Sequence, residues 1–404
     1  MRIVLLATPD LAYPSGSTVF VSQFAKGLAE RGHEVHILCR TIPEGCDQKG
    51  CLTFHSLDIP LDHPVQLNPS VSDRDLGRAI HSYAHAASNL TGPRTILHSM
   101  YATVTAMGGA YAARQANIPH VITTFGRDLG VGRVDERYSA MVAKTLSSAT
   151  HVVAANAAVA EQAAPLLPKH KLPVTQIPMG VNHLLFGDQP GFVESRNRIG
   201  IEASRSVVLV VQSAFNRDKR LEVVLEALAG LNEPKALLVV VGRDDSQDRA
   251  RERLLLRHAL AYGVSDRIIW AGQQQHSLLP FYYGAANVFV DARATCSFSS
   301  CILEAMWAAV PVVATAASAA SGTVPPDVLA AVVPTDDAPS LSRALSSILL
   351  DGRRGMALGR VGRQWIAVKG SANSIDSVVE AYEKVYKRAL FSGTRRPCSW
   401  YSRG

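Results

Sequence analysis

The sequence of 404 residues has no apolar run that approaches the roughly 18 residues of a membrane-spanning helix. The apolar stretch within Met1–Pro9 is too short to be the core of a signal peptide. We therefore expect a cytoplasmic protein. Contact with a membrane is not expected, except at its surface through a basic helix.

Cysteine is scarce, and its six copies lack the spacing of a metal site or a redox pair. They are Cys39, Cys46, Cys51, Cys296, Cys301 and Cys398, with no Cys-x-x-Cys pair and no histidine at a metal-like spacing. Reduced thiols, as in a cytosolic protein, are the expected state.

Basic residues are scattered and form no run with interleaved aromatic residues, so the pattern of a nucleic-acid-binding protein is missing. Lys and Arg number 41 against 34 Asp and Glu, which gives a formal charge of +7. This mild excess suits a small anionic ligand. Hydrophobic residues at 47% and charged residues at 19% are typical of a globular protein, and the length suggests two or three domains.

The N-terminal residues alternate between strand and helix patterns. Ile3–Ala7 is a short continuous apolar run, typical of a buried parallel strand. Helical spacing follows over Val19–Arg31, which Gly32 ends, and Glu34–Cys39 is the next strand. The alternation restarts near residue 206. The strands predicted there are Val207–Val211, Ala236–Val241, Ile268–Ala271, Val288–Val290 and Val310–Ala314.

Two series of βα units predict an α/β protein with two doubly wound, Rossmann-like parallel-sheet domains. We place them at residues 1–187 and 188–372. A helix at 373–390 is expected to pack back on the first domain, and residues 391–404 to form a flexible tail. The apolar side of that helix carries Val378, Val379, Tyr382, Val385 and Tyr386.

Two short segments could bind phosphate. Gly16 and Ser17 stand just before the first helical pattern, where free N–H groups would meet an anion, although an ordinary Ser or Thr N-cap explains them equally well. Arg217 and Lys219 follow the first strand of the second domain. They could bind a diphosphate and stabilise a leaving group, or form a solvated first turn of a helix.

A carboxylate, Glu304, lies about one turn inside a helix that opens on a Ser-rich turn. A capping box would need Ser or Thr three residues earlier, and that position is Cys301. A buried glutamate there needs another partner, and ribose hydroxyls would serve.

Longer segments resemble the family 4 retaining glycosyltransferases of the GT-B fold, over about residues 1 to 390. The motifs that carry the resemblance are Ala25–Val35 (AKGLAERGHEV), Ile177–Asn182 (IPMGVN), Ser213–Leu228 (SAFNRDKRLEVVLEAL), Leu237–Gly242 (LLVVVG), Asp266–Gly272 (DRIIWAG), Leu303–Met306 (LEAM) and Pro311–Thr315 (PVVAT).

The resemblance implies two domains that face each other across a cleft, a nucleotide-sugar donor and a small-molecule acceptor. It implies transfer with retention of configuration, without a protein nucleophile, a metal or another cofactor. Glu304 falls on the second Glu of the family's Glu-x7-Glu motif, which binds the ribose, and Lys219 on its catalytic lysine, with Arg217 beside it. The implied donor-side residues are Gly16, Ser17, Gly242, Gln274, Cys296, Phe298, Ser299, Ser300 and Glu304, and the acceptor-side residues are His98, Arg127 and Asp128.

Several positions depart from the family pattern. Cys296 replaces the first Glu of the motif, and Ser299-Ser300 replaces a glycine pair. The arginine of the family's basic pair falls on Ala214, so Arg217 is expected to compensate. Gly126-Arg127-Asp128 replaces a His-Gly segment. These changes indicate an unusual sugar or acceptor, as in natural-product biosynthesis, or a weakened enzyme.

Some alternatives stay open at this stage. His98 could line the acceptor side or be a satisfied core histidine. Gln274 could read a base edge or belong to a plain polar loop. A GT-B sugar-nucleotide epimerase and an inactive nucleotide-binding protein remain as other functions, because a fold does not determine function. Assembly of several copies of the chain is also left open.

Overall fold

The computed structural model describes residues 1–7, 10–11, 15–42, 50–61, 71–130, 136–167, 174–187, 190–244, 248–368 and 373–392. Cys46, Asp245, Cys398 and all of the predicted tail beyond residue 392 lie outside these ranges. Within them, no helix combines the length and apolar character that a membrane crossing requires.

The chain divides into two compact units. The first consists of Met1–Tyr13, Ser17–Met179 and Ile375–Gly404, and the second of Pro14–Gly16 and Gly180–Ser374. The change from the first unit to the second thus falls at Met179, eight residues before the end of the predicted first domain.

The first half of the chain has seven strands and six α-helices among its described residues. They are β1 (Arg2–Leu6), α1 (Gly16–Glu30), β2 (Glu34–Cys39), β3 (Leu52–Ser56), α2 (Asp73–Ser88), β4 (Thr95–Met100), α3 (Val104–Ala116), β5 (His120–Thr124), α4 (Arg127–Gly130), α5 (Glu136–Ser148), β6 (His151–Ala154), α6 (Ala157–Ala163) and β7 (Val174–Gln176).

The second half begins with two helices, alternates between strands and helices from β8 to α14, and ends with two further helices. Its elements are α7 (His183–Gly187), α8 (Phe192–Ile199), β8 (Val207–Val211), α9 (Leu221–Ala229), β9 (Leu237–Val241), α10 (Ala250–Ala261), β10 (Ile268–Gly272), α11 (Leu279–Ala285), β11 (Val288–Asp291), α12 (Ser300–Trp307), β12 (Val312–Thr315), α13 (Ala316–Ala319), β13 (Ala331–Val333), α14 (Ala338–Leu349), α15 (Gly352–Val368) and α16 (Ile375–Ser392).

Each unit contains one parallel sheet. The strand order is β3-β2-β1-β4-β5-β6-β7 in the first and β10-β9-β8-β11-β12-β13 in the second. Both orders reverse direction once, beside β1 and beside β8, as a doubly wound sheet does. Residues Ile3 to Leu6 of β1 are all 0% exposed, since a parallel strand is covered by helices on both faces. The predicted doubly wound α/β fold is confirmed.

The last helix, α16, belongs to the first unit. The five residues predicted for its apolar side are at most 2% exposed, which confirms that pattern. Two tyrosines of α16 also bond to buried strand residues: the hydroxyl of Tyr386 lies 2.6 Å from Nδ1 of His98, and that of Tyr382 lies 2.8 Å from Oγ1 of Thr123. At the surface, Glu383 accepts from Nε2 of His33 at 2.8 Å. The helix therefore completes the core of the first unit.

Between α12 and β12, Ala309 has a left-handed backbone with φ of +54°. Left-handed backbone costs about 1–2 kcal/mol for a residue with a Cβ atom, whereas glycine adopts it freely but loses about 0.5–1 kcal/mol in chain entropy. We expect Ala309→Gly to raise the free energy of unfolding by about 0.5–1 kcal/mol, measured by urea denaturation.

The neighbouring alanine provides a matched control, because Ala308 has an ordinary φ of −78°. Ala308→Gly should lower the free energy of unfolding by about 0.5–1 kcal/mol. If both glycine variants were destabilised alike, the strain at Ala309 would not be real.

Candidate functional site

Several charged side chains of the second unit lie in the loops after β8 and β11, which meet. These two strands are neighbours, with Val288 opposite Val208 and Phe289 opposite Leu209, and the strand order reverses between them. Ligands of open α/β sheets bind at the carboxyl ends of strands beside such a reversal. The loops are joined directly, because the amide of Ala294 donates to the carbonyl of Asp218 at 2.8 Å.

Lys219 ends a short 3-10 helix, Arg217–Lys219, in the loop after β8. Burial of its ammonium group, followed by the nearby charge of Arg293, lowers the pKa of Lys219 to about 8, although Asp291 opposes both effects. Lys219 is therefore a cation at neutral pH that loses its charge as the pH rises through 8. Arg217, the other predicted catalytic residue, is exposed, and its proposed compensation for the missing arginine stays a prediction.

Sequence reasoning missed a buried ion pair at the end of β11. Asp291 is 7% exposed and Arg293 is 4% exposed. The guanidinium of Arg293 donates from Nε to Oδ1 of Asp291 at 2.8 Å and from Nη2 to Oδ2 at 2.5 Å. Although burial works against it, Arg293 holds the pKa of Asp291 well below its usual range. The one local signal was an Asp-x-Arg sequence directly after an apolar strand pattern.

The turn that opens α12 is tied to this ion pair. Nη1 of Arg293 donates to the carbonyl oxygens of Phe298 at 2.9 Å and Ser297 at 3.3 Å, and the hydroxyl of Ser299 donates to Oδ2 of Asp291 at 2.7 Å. Ser299 occupies the N-cap position of α12, yet its side chain makes no cap hydrogen bond. The helix begins at Ser300, so the predicted opening on a Ser-rich turn is confirmed, and its first N–H groups are not capped by the side chain of Ser299.

The other donor-side positions in this turn differ in exposure. Cys296 and Ser300 are partly exposed, whereas Phe298 is 7% exposed and contributes its carbonyl to Arg293. Cys301, inside α12, has its thiol pKa raised to about 12, chiefly by burial and next by Glu304. Donor binding by Cys296, Phe298, Ser299 and Ser300 stays a prediction.

Glu304 is 4% exposed and already has two protein partners. The hydroxyl of Tyr283 donates to its Oε2 at 2.8 Å, and Nε2 of His276 lies 3.2 Å from its Oε1. The sequence indicated only that this carboxylate needs a partner other than a capping box, and the structure supplies two protein groups, from α11 and from the short helix before it. A carboxylate accepts about four hydrogen bonds, so ribose hydroxyls can still be added, and that role stays a prediction.

Two further predicted donor residues have structural roles. Gly242 has φ of +139°, and a Cβ atom there would lie 2.0 Å from the carbonyl oxygen of Gln212, so only glycine fits. The side-chain amide of Gln274 donates to the carbonyl of Ala271 at 2.5 Å, within its own turn. Contact of either residue with a donor stays a prediction.

Gly16 and Ser17 are the first two residues of α1, which begins three residues before the predicted Val19. Binding of a donor phosphate by these two residues is an untested prediction.

The acceptor-side assignment of His98 and Asp128 is not supported by their positions. His98 is 0% exposed, and its two ring nitrogens lie at hydrogen-bonding distance from Tyr386 and Thr123. Burial lowers its pKa to about 3, so the ring is neutral. Of the two interpretations, the satisfied core histidine fits the structure, because strand β4 is buried along its whole length.

Asp128 is likewise 0% exposed and organises its own loop. Its carboxylate accepts from the amides of Ala102, Phe125 and Gly126 and from the hydroxyl of Thr124. These bonds use its acceptor capacity, so Asp128 holds the turn after β5 in place. The side chain of Arg127 lies outside the described part of the chain.

Among the described residues, no three His, Cys, Asp or Glu side chains group into a set that could hold a metal ion. Asp244, the described half of an Asp-Asp pair, accepts the amide of Glu252 at 2.9 Å and so fixes the start of α10.

Comparison with known families gives matches in both halves of the chain. A family model described as "Glycosyl transferase 4-like domain" matches residues 15–180. A second, described as "Glycosyl transferases group 1", matches residues 192–365. Together they cover both parallel sheets apart from β1, which precedes residue 15.

Individual proteins are similar at low identity. The 2-deoxystreptamine N-acetyl-D-glucosaminyltransferase of Streptomyces fradiae is 26% identical over 261 residues, which are 64% of this chain and 59% of that enzyme, less than two thirds of its length. The D-inositol 3-phosphate glycosyltransferase of Kineococcus radiotolerans is 25% identical over 428 residues, which are 95% of this chain and 93% of that enzyme. Sucrose-phosphate synthase from Thermosynechococcus elongatus has a similar fold, with a TM-score of 0.80 at 23% identity over 97% of this chain and 100% of that one.

The close approach at Gly242 can be tested by adding one methyl group. We expect Gly242→Ala to lower the free energy of unfolding by about 3 kcal/mol or more, because a clash with backbone adds to the cost of a left-handed residue. Gly263 is the control, since it has φ of +67° and no atom within 4 Å of the place that a Cβ atom would occupy. Gly263→Ala should cost only about 1–2 kcal/mol in the same urea titration. Equal losses would mean that the Gly242 contact can relax.

Proposed function

Because the chain belongs to the GT-B glycosyltransferases of the family 4 type, we propose that it moves a sugar from a nucleoside-diphosphate donor to a small-molecule acceptor, with retention of anomeric configuration. The observation that carries the proposal lies within the second unit. A partly buried lysine, the uncapped start of α12 and the carboxylate of Glu304 all lie at the carboxyl ends of β8 and β11 or on the helix that follows. This is a set of groups suited to a diphosphate and a ribose.

Each group has a role that its chemistry allows. The free N–H groups at the start of α12 and the positive end of its dipole would bind the diphosphate. Lys219 would stabilise the negative charge that develops on the departing diphosphate. Glu304, oriented by Tyr283 and His276, would accept hydrogen bonds from the ribose hydroxyls.

The reaction needs no covalent bond to the protein. The bond between the anomeric carbon and the diphosphate oxygen breaks, and the electron pair leaves with the diphosphate. An acceptor hydroxyl forms the new bond on the same face of the sugar, and its proton passes to the leaving phosphate oxygen. In this proposal the positive charge comes from Lys219 and α12, without a metal ion.

The acceptor proposal draws on the named relatives. One relative is named for 2-deoxystreptamine and another for D-inositol 3-phosphate, both hydroxylated six-membered carbocycles. We therefore propose a small polyhydroxylated acceptor, as in natural-product biosynthesis, with Cys296 reflecting a donor sugar that needs no glutamate at that position.

The test is a panel of UDP-, GDP-, ADP- and dTDP-sugars. A ligand that binds only the folded protein raises its melting temperature, so the true donor should stand out in a thermal-shift assay. The selected donor is then incubated with 2-deoxystreptamine, D-inositol 3-phosphate and related polyols, and the product anomer is determined by NMR. Binding of a donor without transfer to any acceptor, or an inverted product, would contradict the proposal.

Replacement of Lys219 tests the leaving-group role. We expect Lys219→Met to lower kcat by roughly 100-fold or more, because a charge that stabilises the transition state is lost. The control is Lys235→Met, an exposed lysine that precedes β9 at the amino end of the sheet. Turnover near the wild-type value in Lys219→Met would reject the role.

Replacement of Glu304 tests the ribose contact. We expect Glu304→Gln to weaken binding of the preferred ribonucleoside diphosphate by about 10-fold or more in calorimetry, since hydrogen bonds to a charged group are lost. The 2′-deoxy analogue should bind the wild type more weakly but lose little more in Glu304→Gln, as expected for two changes to one contact. Glu226→Gln, at an exposed site on α9, is the control. Additive losses would place the ribose elsewhere.

A further inference from the structure

Arg293 connects three parts of the second unit through its guanidinium and its backbone carbonyl. Two of its nitrogens bind the carboxylate of Asp291 at the end of β11. The third binds the carbonyl oxygens of Ser297 and Phe298 and, at 3.2 Å, the hydroxyl of Ser297. Further along, the hydroxyl of Thr315, at the end of β12, donates to the carbonyl of Arg293 at 2.5 Å. Arg293 thus fixes the chain between β11 and α12.

Arginine suits this task because its planar group offers five N–H donors in a fixed geometry. A buried charge is stable only when it is paired and hydrogen-bonded, and loss of one partner leaves the other uncompensated. The carboxylate of Asp291 meets both needs, and with its second oxygen it also accepts from Ser299. The first residues of α12 are therefore positioned by a charged pair rather than by a side-chain cap.

The same pair acts on Lys219 across the junction of the two loops. Four charged or ionisable groups affect the pKa of this lysine: Arg293 lowers it, whereas Asp291, Cys301 and Asp218 raise it. Two of the four, Arg293 and Asp291, are bonded to each other, yet they shift the pKa of Lys219 in opposite directions. Removal of Arg293 alone should therefore raise that pKa, and removal of Asp291 alone should lower it.

We propose that Arg293 is a positioning residue of the donor site, whose bond to Asp291 holds the 297–299 turn so that the start of α12 and the ammonium of Lys219 bind one diphosphate together. The proposal rests on the proposed function, because it assigns a role within the same donor site. Arg293 itself does not touch the donor, since its nitrogens are already bonded to protein.

A merely structural role is the competing explanation, and the chain offers a matched control for it. Arg196 is 1% exposed and its guanidinium also binds backbone carbonyls, those of Ala285, Glu202, Ala203 and Arg205, together with the side chain of Asn287. Asn287 precedes β11, whereas Asp291 ends it. The two buried arginines thus serve opposite ends of the same strand.

The experiment compares Arg293→Met, Asp291→Asn, the double variant and Arg196→Met. Three quantities are measured: the free energy of unfolding, the affinity for UDP, GDP, ADP and dTDP by calorimetry, and the pH profile of kcat/KM from pH 6 to 10. The double variant removes both charges, so it avoids an unpaired buried charge and should fold even where a single variant does not.

The pH profile separates the two explanations by sign. Activity requires charged Lys219, so the wild-type profile should fall as the pH rises through about 8. Arg293→Met removes a repelling charge and should move this fall upward by about one pH unit or more, whereas Asp291→Asn removes an attracting charge and should move it downward. Arg196→Met should lower stability and leave the fall in place. The proposal would be overturned if the pH at which kcat/KM falls were unchanged in both Arg293→Met and Asp291→Asn, or shifted in the same direction in both.

Affinity gives a second, independent measure. The double variant should bind its preferred diphosphate at least about 10-fold more weakly than the wild type, as for a lost charge-assisted contact. Wild-type affinity in a folded double variant would overturn the positioning role. If the wild type itself bound none of the four diphosphates and transferred no sugar, the proposed function would fail instead, so the two failures are distinguishable.

Discussion

A parallel strand that is covered by helices on both faces can present polar groups to a ligand only at its ends. In the second sheet this constraint determines where the charged residues of the candidate site lie. Strands β8 and β9 are almost entirely apolar, and the charges of Lys219, Asp291 and Arg293 begin where β8 and β11 stop. Because these two strands are neighbours at the reversal of strand order, their loops meet, and a site forms without any residue from the strand interiors.

Polar side chains do occur inside the first sheet, and several of them have hydrogen-bond partners elsewhere in the chain. His98 and Thr123 are buried in the interior, and each is accommodated by a tyrosine of α16. His120 is also buried, and its Nε2 lies 2.9 Å from the hydroxyl of Ser99. A buried polar group without a partner costs free energy, so such residues occur where a partner from elsewhere in the chain can reach them.

The fold could be predicted from the sequence because its signals are local. Apolar runs marked the strands, the five apolar residues of α16 marked its buried face, and motifs in both halves implied the GT-B fold, which the two sheets and the structural likeness confirm. The site was less predictable because its partners are distant in sequence. His98 meets Tyr386 across 288 positions, and Glu304 meets His276 across 28. No spacing rule reports such pairs. The sequence therefore left open whether His98 lies in the core or on the acceptor side, and it did not identify the protein partners of Glu304. The role of Arg293 could not be predicted from the sequence, because a charged residue that follows a strand is ordinarily solvated.

The position of α16 has a consequence for how the chain is made. The polypeptide leaves the first unit after Met179, builds the whole second unit, and returns at Ile375. Domains tend to fold as units, the N-terminal one first, as they emerge from the ribosome. Here the first unit is completed only after the second unit has been synthesised, because α16 supplies the partners of His98 and Thr123 and covers the apolar surface beneath Tyr382. Until then the nascent chain carries an uncovered apolar surface, of the kind that chaperones bind and that aggregation exploits.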